Sequence, residues 1–213
     1  MPLTCLAIVL SSLAASPAFA PAPTGGRNSG VASDGRPQLE VYLAAHDVPS
    51  AAELRALATA PEKALMAIAS DPRAEGLIRS RAVASLRLVA TQEVSVFLGK
   101  LIQSKAKATD ATDRLIVRRA AVALGWMAGS GTVEQLATLF DNEDVEVRLD
   151  AAIGMGLTRA ANAATYLRRQ LVIEPSPRVR DQIERQLRAL HESPVQPEKA
   201  PVTKNGQPMR GSW

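Results

Sequence analysis

Between residues 77 and 187 one pattern recurs four times: a branched apolar residue, a second residue four positions on, and a large apolar residue four positions after that. Ile78, Ile116, Val147 and Val179 open the copies, Ala82, Ala120, Ala151 and Ile183 follow, and Leu86, Leu124, Met155 and Leu187 close them. The spacing i, i+4, i+8 puts all three on one helical face, so each copy predicts a helix with one apolar stripe. Successive copies lie 38, 31 and 32 residues apart. A second set, Leu65, Leu98, Leu136 and Leu167, advances independently by 33, 38 and 31 residues, so the repeating unit is a pair of helices. Both long steps cross residues 104–110, which reads as a seven-residue insertion in a 31-residue repeat, placed in a turn.

The composition agrees. The chain holds 37 alanines in 213 residues and only 3% aromatics, where strands favour β-branched and aromatic side chains. None of its 14 prolines falls in residues 73–174, a run of 102 residues. Helix starts are marked by the capping box Ser50-x-x-Glu53, by Pro61, and by Asp71-Pro72 and Ser176-Pro177; Gly129 and Gly131 end a helix. Together these predict an all-α fold with nine helices, over 51–58, 61–69, 74–89, 92–104, 113–128, 132–140, 145–158, 162–172 and 177–190.

Residues 1–20 read as a signal peptide: the apolar run 3–15 has the length of an h-region, and Ala18-x-Ala20 matches a leader-peptidase site. The run is shorter than the about 20 apolar residues a membrane helix needs, and no later segment qualifies. The mature chain is therefore expected to be exported, periplasmic or secreted, without a transmembrane span. Cys5, the only cysteine, lies in this leader, which leaves no disulfide or thiolate site afterwards. Residues 21–46, rich in Pro, Gly, Ser and Asn, read as a disordered linker and 192–213 as a disordered tail, so that 47–191 form the packed domain.

The stretch Ile116-Val117-Arg118-Arg119-Ala120-Ala121-Val122-Ala123-Leu124-Gly125, and Asp144 with Val147-Arg148 and Ala151-Ala152, resemble the short HEAT repeats named for phycobilisome lyases. That pattern is an acidic turn, Val-Arg, a small-residue pair and Leu-Gly, and the resemblance covers about residues 47–190. It implies a right-handed α-solenoid of about four and a half helix-pair repeats with a concave surface lined by the second helices. On that fold the expected function is a non-enzymatic scaffold or adaptor binding a partner protein of the cell envelope. The alternative that the resemblance implies is an accessory, lyase-like subunit that handles a chromophore or assists an enzyme.

The partner-binding candidates flank the leucine row of the second helices: Phe97, Gln135 and Tyr166 stand one residue before it, Lys100 and Arg169 two after. Aromatic and arginine side chains dominate binding hot spots, although Phe97 and Tyr166 equally suit packing between repeats. Trp126 is expected in the core, and Arg87 on the opposite, convex face. Arginine outnumbers lysine 19 to 6, and residues 148–190 hold eight arginines against four acids, the whole net charge of +4. Such an end suits an acidic partner surface, but without a compact basic run or interleaved aromatics no nucleic acid is expected. Asp141, Glu143, Asp144, Glu146 and Asp150 lack calcium-loop spacing and read as an acidic first helical turn. No catalytic, metal or cofactor motif is expected, with His46 and His191 the only histidines.

Overall fold

The computed structural model describes residues 35–192 apart from 128 and 130. The expected leader, the linker up to residue 34 and the tail from residue 193 lie outside the described residues. Ten helices follow one another: α1 (Arg36–Ala45), α2 (Ala51–Leu57), α3 (Pro61–Ser70), α4 (Gly76–Ser85), α5 (Gln92–Lys105), α6 (Ala111–Met127), α7 (Thr132–Ala137), α8 (Val145–Leu157), α9 (Ala163–Ile173) and α10 (Pro177–Glu192). Short 3-10 turns, Leu86–Val89 and Thr138–Asp141, extend α4 and α7. No strand occurs among the described residues, in keeping with the all-α expectation.

The sequence places residues 36–45 in a linker, and α1 corrects this. Gly35, at φ 86°, turns the chain into the helix, and Pro37 in the first turn presets the backbone dihedral. Leu39 and Leu43 share a face at i, i+4, are fully buried, and seat α1 on α3 and α4. Complete burial of each leucine is worth about 1.5–3 kcal/mol, a part of what offsets the ordering entropy of the helix.

α2 packs between α1 and α3, and the remaining eight helices pack as hairpins, α3 on α4, α5 on α6, α7 on α8 and α9 on α10. Each hairpin packs on the next: α4, α6, α8 and α10 form one row of neighbours, α3, α5, α7 and α9 the other. Leu65, Leu98, Leu136 and Leu167 are fully buried at the seams. So are the stripe residues of the repeats, apart from Ile78 and Leu187, which are half-buried in the first and last copies. The closest seam joins α6 to α8. A side-chain carbon on Gly125 would fall against the backbone of Gly154, and one on Gly154 against the carbonyl of Ala121. The absence of a side chain at both positions is what lets the two backbones meet.

The insertion at 104–110 is partly absorbed by helix. α5 runs on to Lys105, and Asp110 accepts hydrogen bonds from the backbone N–H groups of Thr112 (3.2 Å) and Asp113 (2.7 Å), starting α6 earlier than the repeat requires. At the end of the series α10 buries Val179 and Ile183 and turns Arg180, Asp181, Glu184 and Arg188 outward, a charged closing face.

Candidate functional site

Arginines bridge successive members of the α4–α10 row. Arg114 Nη1 lies 3.0 Å from Asp144, and Arg118 reaches Asp150 (2.7 Å) and Glu146 (3.0 Å) across the α6/α8 seam. Arg178 of α10 also pairs with Glu146. The acidic turn at 141–150 is therefore largely compensated from neighbouring helices, and Asp144 caps α8 by accepting from Glu146 N (2.8 Å). Burial pushes the Asp150 carboxyl above its ordinary value, opposed by the hydrogen bond from Arg118 and the nearby charge of Arg119.

Arg148 and Glu174 form the buried pair of the fold. Arg148 donates from Nη2 (2.9 Å) and Nε (3.1 Å) to the Glu174 carboxylate, and from Nη1 to the carbonyls of Asn142 (2.8 Å) and Glu143 (3.0 Å). Glu174 also accepts from Gln170 Nε2 (2.9 Å) and Ser176 N (3.1 Å). Burial alone would raise its pKa, but the hydrogen bonds from Arg148, Gln170 and Ser176 hold the carboxyl below its ordinary value. Part of the arginine excess of residues 148–190 is thus committed internally: Arg148 to Glu174, Arg178 to Glu146 and Arg188 to Glu184.

A depression of about 560 Å3 with charged walls lies between α4 and α6. Its side chains come from the residues that stand one before the buried stripe, with the next turn beyond them: Leu77, Arg81 and Ala84 on α4, Leu115, Arg119 and Val122 on α6. Arg87, from the turn after α4, and Asp47, from the segment before α2, complete the rim. Arg81 is held in place, donating to the carbonyls of Leu43 (2.8 Å) and Ala44 (3.4 Å) at the C-terminal end of α1, with its Nε 3.7 Å from Asp47. Arg87 and Arg119 are exposed and make no hydrogen bond or ion pair within 4 Å among the described residues. Arg87, expected on the convex face, stands on the rim of this depression.

The expectation that Trp126 lies in the core is corrected. It is 56% exposed, on the face of α6 that also carries Val122 and Arg119 at i−4 and i−7. Of the five expected binding residues, Phe97 and Tyr166 are half-buried and packed against the core, whereas Lys100, Gln135 and Arg169 are exposed. They sit on α5, α7 and α9, consecutive members of the second row. Gln135 lies over Gly99, where an added side-chain carbon would come within 2.7 Å of its Oε1. The α4/α6 depression contains none of the five.

A second, apolar depression of about 500 Å3 lies on α1 and α2, around Val41, Tyr42 and Leu57. Among the described residues no helix is long and apolar enough to cross a membrane. Comparison with known proteins finds no matching family model, no matching curated protein and no matching solved structure.

Proposed function

We propose that this chain is a non-enzymatic binding module of the cell envelope: an exported, right-handed HEAT-like solenoid of about four and a half helix pairs that holds a partner protein on its exposed helix faces. The observation that carries the reading is the serial packing, in which each hairpin touches chiefly the one before and the one after. Such a series distributes its side chains over long rows instead of around one interior site, and rows of exposed side chains suit an extended partner. Exposed large apolar residues beside arginines add to it: Leu77 and Trp126 stand on the α4 and α6 faces that carry Arg81 and Arg119. Phe97, Lys100, Gln135, Tyr166 and Arg169 form the alternative contact row, on α5, α7 and α9.

The test is tandem affinity isolation of the tagged full chain from native cells. One protein co-eluting at fixed stoichiometry supports the module, and its loss in a Lys100→Glu/Arg169→Glu variant would put the contact on the second row. Isolation of the chain with no stoichiometric protein contradicts the reading.

A further inference from the structure

We infer that the α4/α6 depression is a cleft for an acidic segment of a partner protein carrying aliphatic side chains between its carboxylates, with Arg87 and Arg119 as the carboxylate-binding groups. This rests on the binding-module reading and adds to it the surface used and the chemistry of the occupant.

The depression, at about 560 Å3, falls in the roughly 300–1,000 Å3 range of ligand-binding clefts. Three guanidinium groups face one carboxylate. Asp47 and the α1 carbonyls engage Arg81, which leaves Arg87 and Arg119 as the rim guanidinium groups without a hydrogen bond or ion pair among the described residues, Arg119 feeling only the more distant charge of Asp150. A guanidinium presents a planar fork that matches a carboxylate in bidentate fashion, so the rim selects an anion with that geometry. Between the arginines the surface is aliphatic: Leu77 is 51% exposed, and Leu115, Val122 and Ala84 are half-buried. An occupant that satisfies both parts must alternate carboxylates with apolar side chains, which is peptide chemistry.

The surroundings argue against a polyanion. No aromatic ring lines the depression itself, and the exposed Trp126, one turn beyond Val122, offers a stacking surface for a single base at most. The positive row is also short, because one repeat after Arg119 the equivalent position on α8 is Asp150, with Glu146 one turn before it. A regular phosphate backbone running along the row would meet those carboxylates, whereas a peptide segment ends or changes charge where it needs to.

The test is fluorescence anisotropy of the purified full chain with a short labelled peptide of alternating glutamate and leucine. A lysine–leucine peptide, single-stranded DNA and phosphatidylglycerol vesicles serve as competing probes. The expected result is saturable, salt-sensitive binding of the acidic peptide that weakens roughly tenfold or more in Arg87→Glu/Arg119→Glu. The Lys100→Glu/Arg169→Glu variant should bind as the parent does. Both reversed arginines are exposed and without an intramolecular ion pair or hydrogen bond, so the circular dichroism spectrum should not change, while the melting curve should fall only slightly as Arg119 ceases to offset the charge of Asp150. Leu77→Glu, which places a carboxylate in the floor and leaves the arginines intact, is the second variant and should weaken binding similarly. Peptide binding unaffected by either variant, or no peptide binding, overturns the inference. Tighter binding of DNA or vesicles that is lost in Arg87→Glu/Arg119→Glu overturns the occupant. Co-isolation of a protein that persists while the peptide fails would leave the module standing and remove this cleft. Peptide binding without any co-isolated protein would count against the module instead.

Discussion

Replacing Arg148 by alanine isolates the buried charge of the fold. In the parent, the Glu174 side chain has no solvent exposure and Arg148 only 9%, and all three guanidinium nitrogens are engaged. Arg148→Ala leaves the carboxylate with only Gln170 and Ser176 as donors, and removes the side-chain donor from the carbonyls of Asn142 and Glu143. Removing one partner of such a pair costs about 3–5 kcal/mol, since an uncompensated charge stays buried. For a domain of this size that is a fall in melting temperature of roughly 6–20 °C. The double replacement Arg148→Met/Glu174→Leu should recover much of the loss, because no charge is then stranded. The pH dependence has a defined sign. Glu174 has a depressed pKa in the fold, so its contribution is present above the ordinary carboxyl range near 4.5 and is lost as pH falls through the folded value. Without Arg148 burial dominates and raises that pKa, so the stability gap between parent and variant should narrow on acidification. Urea unfolding followed by circular dichroism, run as a double-mutant cycle at neutral and acidic pH, measures all of this. A single-variant cost below about 1 kcal/mol, or additive single and double variants, would refute the reasoning.

Three further substitutions have defined outcomes. Gly154→Ala should destabilise by about 1–3 kcal/mol despite alanine's better helix propensity, because the new carbon meets the α6 backbone at Ala121, which can yield only by opening the seam; a neutral result in urea unfolding would show that the helices do not approach so closely. Ser50→Ala should cost about 0.5–2 kcal/mol by removing the side-chain half of the capping box at α2, measured the same way. In that variant the acid sensitivity of the box should also fall: Glu53 is held at a pKa of about 2 by hydrogen bonds from Ser50 and Tyr42, and its contribution in the parent fades as pH drops from 4.5 toward that value. Finally, in a Trp213→Phe background the fluorescence of Trp126 should be red-shifted and readily quenched by acrylamide, and a blue, protected emission would return it to the core.

Most helix positions were legible because three-residue stripes at four-residue spacing leave little freedom, and a second row of leucines kept the same register. The stripe positions are those the structure buries, with the half-buried exceptions Ile78 and Leu187 in the end copies. α1 escaped notice because two leucines in ten residues make a weak stripe, and Gly35, Arg36 and Pro37 read as loop punctuation. The exposure of Trp126 follows from helix geometry: two residues past Leu124 it is rotated about 200° from that stripe at 100° per residue. The depression was only half legible. Arg81 and Arg119 each stand one residue before a stripe alanine, in a row that continues as Asp150 and Gln182, and attention to that row in the longer helices would have found them. Arg87 and Asp47 come from a 3-10 turn and a connecting segment, to which no helical period points.

On the proposed function, this chain works by holding a partner protein on a particular helix face. Site-specific photo-crosslinking in native cells tests it most directly, with the probe residue placed in turn at Val122 in the α4/α6 depression, at Lys100 on the second row, and at Glu184 on the charged closing face of α10. One dominant protein adduct is expected from Val122 that is absent from Glu184. No adduct from any position, or the same adducts at similar yield from all three, would contradict it.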